Sequence, residues 1–158
     1  MTRSSRIPTG RLLDNMGASV LSGDSMRPVT TDIKYVSSDY DFASTFGIRV
    51  TAGRFFSREY GTDTASFVIN ESAVKAVGWK NAADAVDKNF KYGNQSGHIV
   101  GVINDFHLNP CTRLLFLLYL LCSLLPKTIL INLTVKISGS NIAPALAYME
   151  KTWKKILS

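Results

Sequence analysis

The stretch Phe67–His107 constrains the fold of this chain most, because it contains a strand that runs into a helix and, later, a second strand. It opens with FVINESAVKAVGW, in which Phe67–Ile69 predicts a strand and Asn70 is a preferred N-cap for the helix that follows. Gly78 can end that helix in a left-handed conformation. The stretch closes with HIVGVINDFH, whose mostly β-branched Ile99–Ile103 predicts a half-buried strand. We therefore expect the apolar side of the helix, with Ala73, Val74 and Val77, to face a sheet that contains this strand.

The remaining sequence predicts short elements of both kinds. Residues 1–31 are rich in Ser, Arg, Gly and Thr and predict a partly irregular region with one short strand. YGNQSG predicts a hairpin turn before Ile99–Ile103, and Asp39 can cap a short helix. Strands are predicted at Asp32–Ser37, Ile48–Thr51, Lys88–Lys91 and Leu133–Ile137, and short helices at Tyr40–Phe46 and Lys80–Ala85.

The clearest amphipathic helix lies at the C-terminal end. Apolar residues recur there at steps of four, three, four and three positions, at Ile142, Leu146, Met149, Trp153 and Ile156. Together these elements predict an α+β fold, a mixed sheet of short strands with a few helices packed on it. At 158 residues the chain is long enough for one core, so we expect a single domain over residues 1–158.

Three motifs in fixed order carry a family resemblance. They are YVSSDYDFASTFGIRVTAGRFFSREYGTD, FVINESAVKAVGW and HIVGVINDFH. Together they resemble the extracytoplasmic (periplasmic) core domain of MacB-like or FtsX-like ABC-transporter permeases, of the Bacteroidetes type. The resemblance covers roughly residues 4–107 and Asn132–Leu157. The matching residues are Asp39, Tyr40, Gly47, Ile48, Gly53, Arg54, Phe56, Asn70, Glu71, Ala73, Gly78, Gly101, Val102, Asp105, Phe106 and His107.

The resemblance implies a non-catalytic domain that couples ATP-driven motion to export or mechanotransmission. Its partners would be a cytoplasmic ATPase subunit, reached through transmembrane helices that this chain lacks, and other periplasmic or outer-membrane proteins. It would lie at the periplasmic face of the inner membrane in the parent protein, and we expect this fragment itself to be soluble. Gly53, Arg54, Asn70, Gly78 and Asp105 would hold the fold together. Two alternatives stay open: a stand-alone module that binds a small molecule or a protein, and a small acid–base enzyme.

The residues themselves indicate no catalytic, cofactor-binding or metal-binding site, and we expect no cofactor. No phosphate-binding loop or dinucleotide fingerprint is present in the sequence. His98 and His107 flank the Ile99–Ile103 strand at an odd spacing that points them to opposite faces. Asp105 beside His107 would carry the acid–base alternative, but a turn aspartate that ends a strand is the simpler interpretation. The net charge of +6 is scattered rather than arranged in a basic stripe, so we expect no nucleic-acid partner.

The segment Leu108–Ile131 departs from the resembled pattern. After Asp-Phe-His that pattern continues Phe-Glu-Ser-Leu-His, whereas this chain continues Leu-Asn-Pro-Cys-Thr-Arg. One possible coding run yields the resembled sequence when a single T is added, and removal of one A near Pro126–Asn132 restores a polar loop. We therefore interpret residues 108–131 as translated out of frame, the alternative being a natural insertion. The apolar run LLFLLYLLCSLL is too short for a membrane helix and predicts a buried helix or a strand pair.

Overall fold

Ten short strands form one mixed sheet in the part of the chain that the computed structural model describes, residues 1–5, 7, 17–22, 25–31, 33–105, 116–120, 132–137 and 142–157. The strands are β1 (Thr2–Ser4), β2 (Ala18–Ser22), β3 (Ser25–Val29), β4 (Lys34–Ser38), β5 (Val50–Gly53), β6 (Ser66–Asn70), β7 (Asn89–Tyr92), β8 (Gln95–Ile103), β9 (Phe116–Leu120) and β10 (Asn132–Thr134). The helices are α1 (Phe42–Phe46), α2 (Glu71–Val77) and α3 (Ile142–Leu157), with 3-10 turns at Gly61–Ala65 and Ala82–Ala85.

The strands run in the order β10-β1-β4-β9-β6-β8-β7-β2-β3, and β5 pairs with the C-terminal half of β8. The pairs β4–β9 and β6–β8 are parallel, and the other pairs are antiparallel. The sheet is therefore mixed, as the sequence predicts, and the α+β fold class is confirmed.

Strand β6 separates two apolar clusters because its side chains alternate between the two faces of the sheet. Phe67 and Ile69 are buried on the face covered by α2, and Phe67 meets Phe90 of β7 with ring centroids 5.3 Å apart. Val68 points to the opposite face, where it joins the cluster that contains Phe42 of α1. Strand β6 thus packs against apolar clusters on both faces of the sheet, which explains why all five of its residues are buried.

The predicted handover from strand to helix at Asn70 is confirmed. Strand β6 ends at Asn70 and α2 begins at the next residue. Three of the four small apolar residues of the helix, Ala73, Val74 and Val77, are buried in the cluster that includes β8. Since burial of a valine side chain contributes about 1.5–3 kcal/mol, this contact is a main reason that so short a helix forms.

The N-terminal region contains more strand than the sequence predicts. We expected one short strand within residues 1–31, but the described residues there form β1, β2 and β3. Strands β2 and β3 pair antiparallel along their whole length, from Ala18 with Val29 to Ser22 with Ser25, so they form a hairpin. The hairpin is held because Ala18 and Val20 are buried in the cluster under α2.

The role predicted for Asp39 as a helix cap is wrong. The N-cap of α1 is Asp41, which makes no side-chain capping bond. The Asp39 carboxylate accepts hydrogen bonds from the Thr2 hydroxyl, from the Arg3 backbone N–H at 2.8 Å and, at a longer 3.3 Å, from the Asp41 backbone N–H before α1. Asp39 therefore fastens β1 to the start of α1, because the paired N-terminal strand offers it better donors than the helix does.

Other predicted boundaries shift by one to four residues. The strands expected at Asp32–Ser37, Ile48–Thr51 and Leu133–Ile137 are Lys34–Ser38, Val50–Gly53 and Asn132–Thr134. The hairpin before Ile99–Ile103 is confirmed as β7–β8, and the short helix expected at Lys80–Ala85 is a 3-10 turn at Ala82–Ala85.

Part of the apolar run LLFLLYLLCSLL forms a strand. Phe116–Leu120 is strand β9, which lies between β4 and β6, and the flanking residues lie outside the described part of the chain. Among the described residues, no helix combines the length and the apolar composition that crossing a membrane requires.

The predicted C-terminal helix is present as α3, but its apolar residues Ile142, Leu146 and Trp153 are exposed.

Candidate functional site

Asn70 and Asp105 form a polar junction where β6, α2 and the end of β8 meet. The Asn70 side chain accepts a hydrogen bond from the Ala73 backbone N–H at 3.1 Å, which caps α2, and its Nδ2 donates to Asp105 Oδ1 at 2.7 Å. Ser72 donates twice to the same carboxylate, from its backbone N–H at 2.9 Å and from its hydroxyl at 2.6 Å. The carboxylate of Asp105 therefore bonds the first turn of α2 as well as the residue that caps it.

Hydrogen bonds hold the Asp105 carboxylate against the N-terminus of α2. A carboxylate near a helix N-terminus is stabilised by the free N–H groups there. Three donors within 2.9 Å already occupy its two oxygens, so it is fixed in one orientation. The acid–base alternative also needs His107, which lies outside the described residues. His98 lies towards the other end of β8, paired with Asn89 of β7.

A second junction joins Arg54, after β5, to Asp63 in the 3-10 turn Gly61–Ala65. The two guanidinium nitrogens of Arg54 donate to the two Asp63 oxygens at 2.7 and 2.6 Å, a bidentate pair. The Ser57 backbone N–H donates to Asp63 at 2.8 Å. The Asp63 side chain is fully buried, whereas that of Arg54 is 32 % exposed. The buried carboxylate of Asp63 thus holds the loop between β5 and β6 in place, and Arg54 neutralises its charge.

The surroundings of Arg54 fix this side chain in place. Its guanidinium lies 3.8 Å from the ring centroid of Tyr60, within cation–π range. Its backbone N–H donates to the Val100 carbonyl of β8 at 3.0 Å. The hydrogen bond to Asp63 raises the pKa of Arg54; burial opposes this rise in part, and the Coulombic attraction of Asp63 adds a smaller rise. Arg54 is therefore charged at neutral pH.

Gly101 of β8 lets the backbone of Arg54 approach. A Cβ on Gly101 would overlap the backbone carbonyl of Arg54, so no other residue fits without displacement of a strand. The segment that contains Arg54 crosses β8 at this glycine. The arginine of the G-R-x-F motif and the first glycine of the G-V-x-x-D-F-H motif therefore contact each other, although they are distant in the sequence.

Two residues, Gly78 and Arg27, stabilise the C-terminal end of α2. The sequence predicted only Gly78. Gly78 has φ of 91°, the left-handed conformation predicted for it. Arg27 of β3 donates from Nη2 to the Val77 carbonyl at 3.1 Å, which satisfies a free carbonyl at the helix end and places a cation there. No local pattern marks Arg27, because the bond spans 50 positions.

The described residues contain no group of three or more His, Cys, Asp or Glu side chains placed to hold a metal ion. A cavity of about 380 Å³ lies between β3 and the end of α2, and one of about 560 Å³ lies over Leu21, Met26 and His98. Neither of these two cavities is lined by a residue of the Asp105 junction or the Asp63 junction.

Comparison with known proteins places the fold. No known protein family and no curated protein matches the chain in sequence. Among solved structures, the periplasmic region of MacB from Actinobacillus actinomycetemcomitans superposes with a TM-score of 0.60 at 16% identity, over 98% of this chain and 65% of that one. The chain has the fold of a MacB-type periplasmic domain.

Two further structures share this MacB-type fold. A domain assigned to a permease protein from Porphyromonas gingivalis gives a TM-score of 0.55 at 20% identity, over 96% of this chain and 62% of that one. The extracellular domain of the noncanonic ABC-type transporter YknZ from Gram-positive bacteria gives 0.52 at 15% identity, over 76% and 53%. This chain therefore spans between about half and two thirds of the solved domains that it matches. The fold expected from the MacB-like resemblance is confirmed, and the Bacteroidetes type stays a prediction.

Proposed function

We propose that this chain is a non-catalytic extracytoplasmic domain of an ABC-transporter permease, which passes ATP-driven motion on to export or to mechanotransmission. The observation that carries the proposal is the superposition of 98% of the chain on the periplasmic region of MacB. The YknZ extracellular domain, also part of an ABC-type transporter, supports the same general kind of protein.

The polar junctions support a mechanical rather than a chemical role. Asp105 ties the N-terminus of α2 to β6 and β8, and Arg54 ties Asp63 to the crossing with β8. Because these contacts are multidentate and partly buried, we expect the elements around β8 to move together and not separately. A domain that transmits displacement needs such connections, whereas an enzyme needs reactive groups that are free to exchange protons.

The partners follow from the proposed role. A cytoplasmic ATPase subunit would act on this domain through the transmembrane part of the parent permease, and other periplasmic or outer-membrane proteins would receive the motion. The domain would lie on the periplasmic face of the inner membrane. This assignment treats residues 1–158 as one core domain of a longer polypeptide.

The DNA around the coding region tests the proposal. We expect it to encode one transmembrane helix just upstream of this segment and three downstream, with an ATPase gene nearby. A stop codon in frame upstream and downstream in independent isolates, with no membrane segment on either side, would contradict it and favour the stand-alone binding module.

A further inference from the structure

The cavity of about 380 Å³ between β3 and the C-terminal end of α2 has the volume of a pocket that holds a small ligand. Val20 and Val29 line it from the sheet, and Ala76 and Val77 line it from the helix. These side chains are aliphatic and form two facing apolar walls. The cavity therefore suits a short hydrocarbon group.

Arg27 is the one charged residue among the described residues that line this cavity. It pairs with Val20 in the β2–β3 register, so its side chain is on the same face of the sheet as the buried Val20. Its Nη2 donates to the Val77 carbonyl at 3.1 Å, which holds the guanidinium at the end of the helix. In the described part of the chain, no carboxylate lies within ion-pair distance of Arg27.

The guanidinium of Arg27 retains donors for a ligand. A guanidinium has five N–H donors in a rigid fork, and the bond to Val77 uses one of them. One complete edge of two parallel N–H groups stays, which is the geometry that binds a carboxylate or a phosphate through two hydrogen bonds. The negative end of the α2 dipole lies at this cavity and favours a singly charged anion over a phosphate with two charges. The charge thus indicates a carboxylate.

Pro28 disfavours the binding of an extended peptide along β3. This strand is the last one in the described sheet, and the free edge of a sheet is where a peptide adds as a further strand. Proline has no backbone N–H to donate, and natural proteins place it on edge strands to discourage such pairing. We therefore expect the ligand to be held by its charged end and its apolar group.

We propose that the cavity between β3 and α2 binds a small carboxylate with a short branched hydrocarbon group, its charge on Arg27 and its hydrocarbon against Val20, Val29 and Val77. The same chemistry occurs in a free short-chain acid and at the C-terminus of a peptide that ends in leucine. A ligand of this size should bind with a Kd on the order of 1 mM. This inference does not rest on the proposed transport function.

Titration of the full isotope-labelled chain with isocaproate, followed by NMR, tests the proposal. We expect the backbone N–H signals of Ala76 and Gly78 and the Nε–H signal of Arg27 to shift and saturate. Isocaproamide is the matched control ligand, because it has the same shape without the charge, and it should bind at least about tenfold more weakly. Acetyl-glycyl-leucine presents the same group at a peptide C-terminus. Tighter binding than that of isocaproate would identify a peptide as the source of the ligand, and weaker binding would identify a free acid.

Two substitutions in the cavity should weaken binding. Arg27→Gln keeps a donor for the Val77 carbonyl but removes the charge and the fork, so the affinity should fall about tenfold or more. Arg58→Gln is the matched control, because it removes an exposed arginine that does not line the cavity, and it should bind as the original chain does. Ala76→Leu fills the cavity from an exposed helical position and should abolish binding without lowering the melting temperature.

Three results would overturn the proposal. One is the absence of saturable shifts with isocaproate up to about 20 mM, well above the expected Kd. Another is equal affinity for isocaproate and isocaproamide, which would show that no charge is recognised. The third is unchanged affinity in Ala76→Leu or in an Arg27→Gln variant that melts as the original chain does. Circular dichroism melting accompanies each variant, and if Arg27→Gln is unstable, Ala76→Leu and the amide control still decide.

Discussion

Asn70 and Asp105 lie 35 positions apart in the sequence and are joined by a hydrogen bond of 2.7 Å. Asn70 uses its other side-chain atom to cap α2, so one residue both starts the helix and ties it to the end of β8. Asp105 also accepts from Ser72 in the first helical turn. The N-E-x-A motif and the aspartate of the D-F-H motif therefore belong to one structural unit.

Substitutions at the two ends of α2 should destabilise the domain almost additively. Asn70→Ala removes the cap and a donor to Asp105, a cost of about 1–2 kcal/mol. Gly78→Val puts a β-branched side chain at φ of 91°, a cost of about 1 kcal/mol or more. Both variants should lower the melting temperature, and the double variant should show nearly the sum, since the sites lie at opposite helix ends.

Asn70→Asp is the matched test for the first of these sites. Asp and Asn cap helices equally well, so capping alone predicts no change. Here the new carboxylate would face that of Asp105 and could not donate to it. We therefore expect Asn70→Asp to destabilise at neutral pH at least as much as Asn70→Ala. Chemical denaturation that finds Asn70→Asp as stable as the original chain would contradict the Asn70–Asp105 bond.

Loss of Arg54 should cost far more than loss of a neighbouring arginine. Arg54→Ala leaves the fully buried Asp63 without its cation. We expect the free energy of unfolding to fall by about 3 kcal/mol, which is the low end of the range for a broken buried ion pair, because Arg54 is partly exposed. For a domain of this size the melting temperature should fall by about 6–12 °C. Arg58→Ala is the control, since the Arg58–Asp41 pair is exposed and should contribute less than about 1 kcal/mol.

The pH dependence of Arg54→Ala follows from the raised pKa of Arg54. A group whose pKa is higher in the folded than in the unfolded state stabilises fully below its unfolded pKa, and this stability is lost only as pH rises through the folded value. Both values lie far above neutrality for Arg54. Thermal melts should therefore give the same penalty at about pH 6 and about pH 9. A penalty that disappears at the higher pH would show that another group carries the interaction.

The purified chain should lack ATPase and hydrolase activity. The sequence has no phosphate-binding loop, and the Asp105 carboxylate is engaged by Asn70 and Ser72. Phosphate release from ATP should remain at the level of the buffer. Measurable turnover that is lost with a substitution at Asp105 or His107 would favour the acid–base alternative.

Sequencing of the source DNA should show altered T and A tracts at the two ends of residues 108–131. Strand β9 shows that part of this segment can pair with β4 and β6, which any apolar run of strand-like length could do. The frame-slip hypothesis therefore stays a prediction. Tracts that encode this chain as it stands, in independent isolates, would contradict it.

Local signals predicted the α2 unit well because its cap, its buried face and its glycine lie within nine consecutive residues, Asn70–Gly78. The same holds for the β7–β8 hairpin, whose turn is marked in the sequence. The misassigned elements depend on distant partners. Asp39 could cap a helix locally, but β1 supplies its donors from more than 30 positions away.

The sequence also named Arg54 and Asp105 without revealing what they bind. Asp63 and Ser72 lie within the motif segments but are not among the matching residues, yet each completes a junction through a backbone turn that brings it within hydrogen-bond distance. Arg27, which bonds the end of α2 from β3, carried no signal, because a single arginine in an exposed strand is an ordinary surface residue.

Parallel measurement of melting and transport in the parent permease tests the central claim most directly. If Asn70 serves the fold, a permease that carries Asn70→Ala should lose transport only in proportion to its loss of folded protein, and conditions that restore folding should restore transport. A variant that melts like the original protein yet fails to transport would contradict the account, because Asn70 would then be a functional contact and not a structural one.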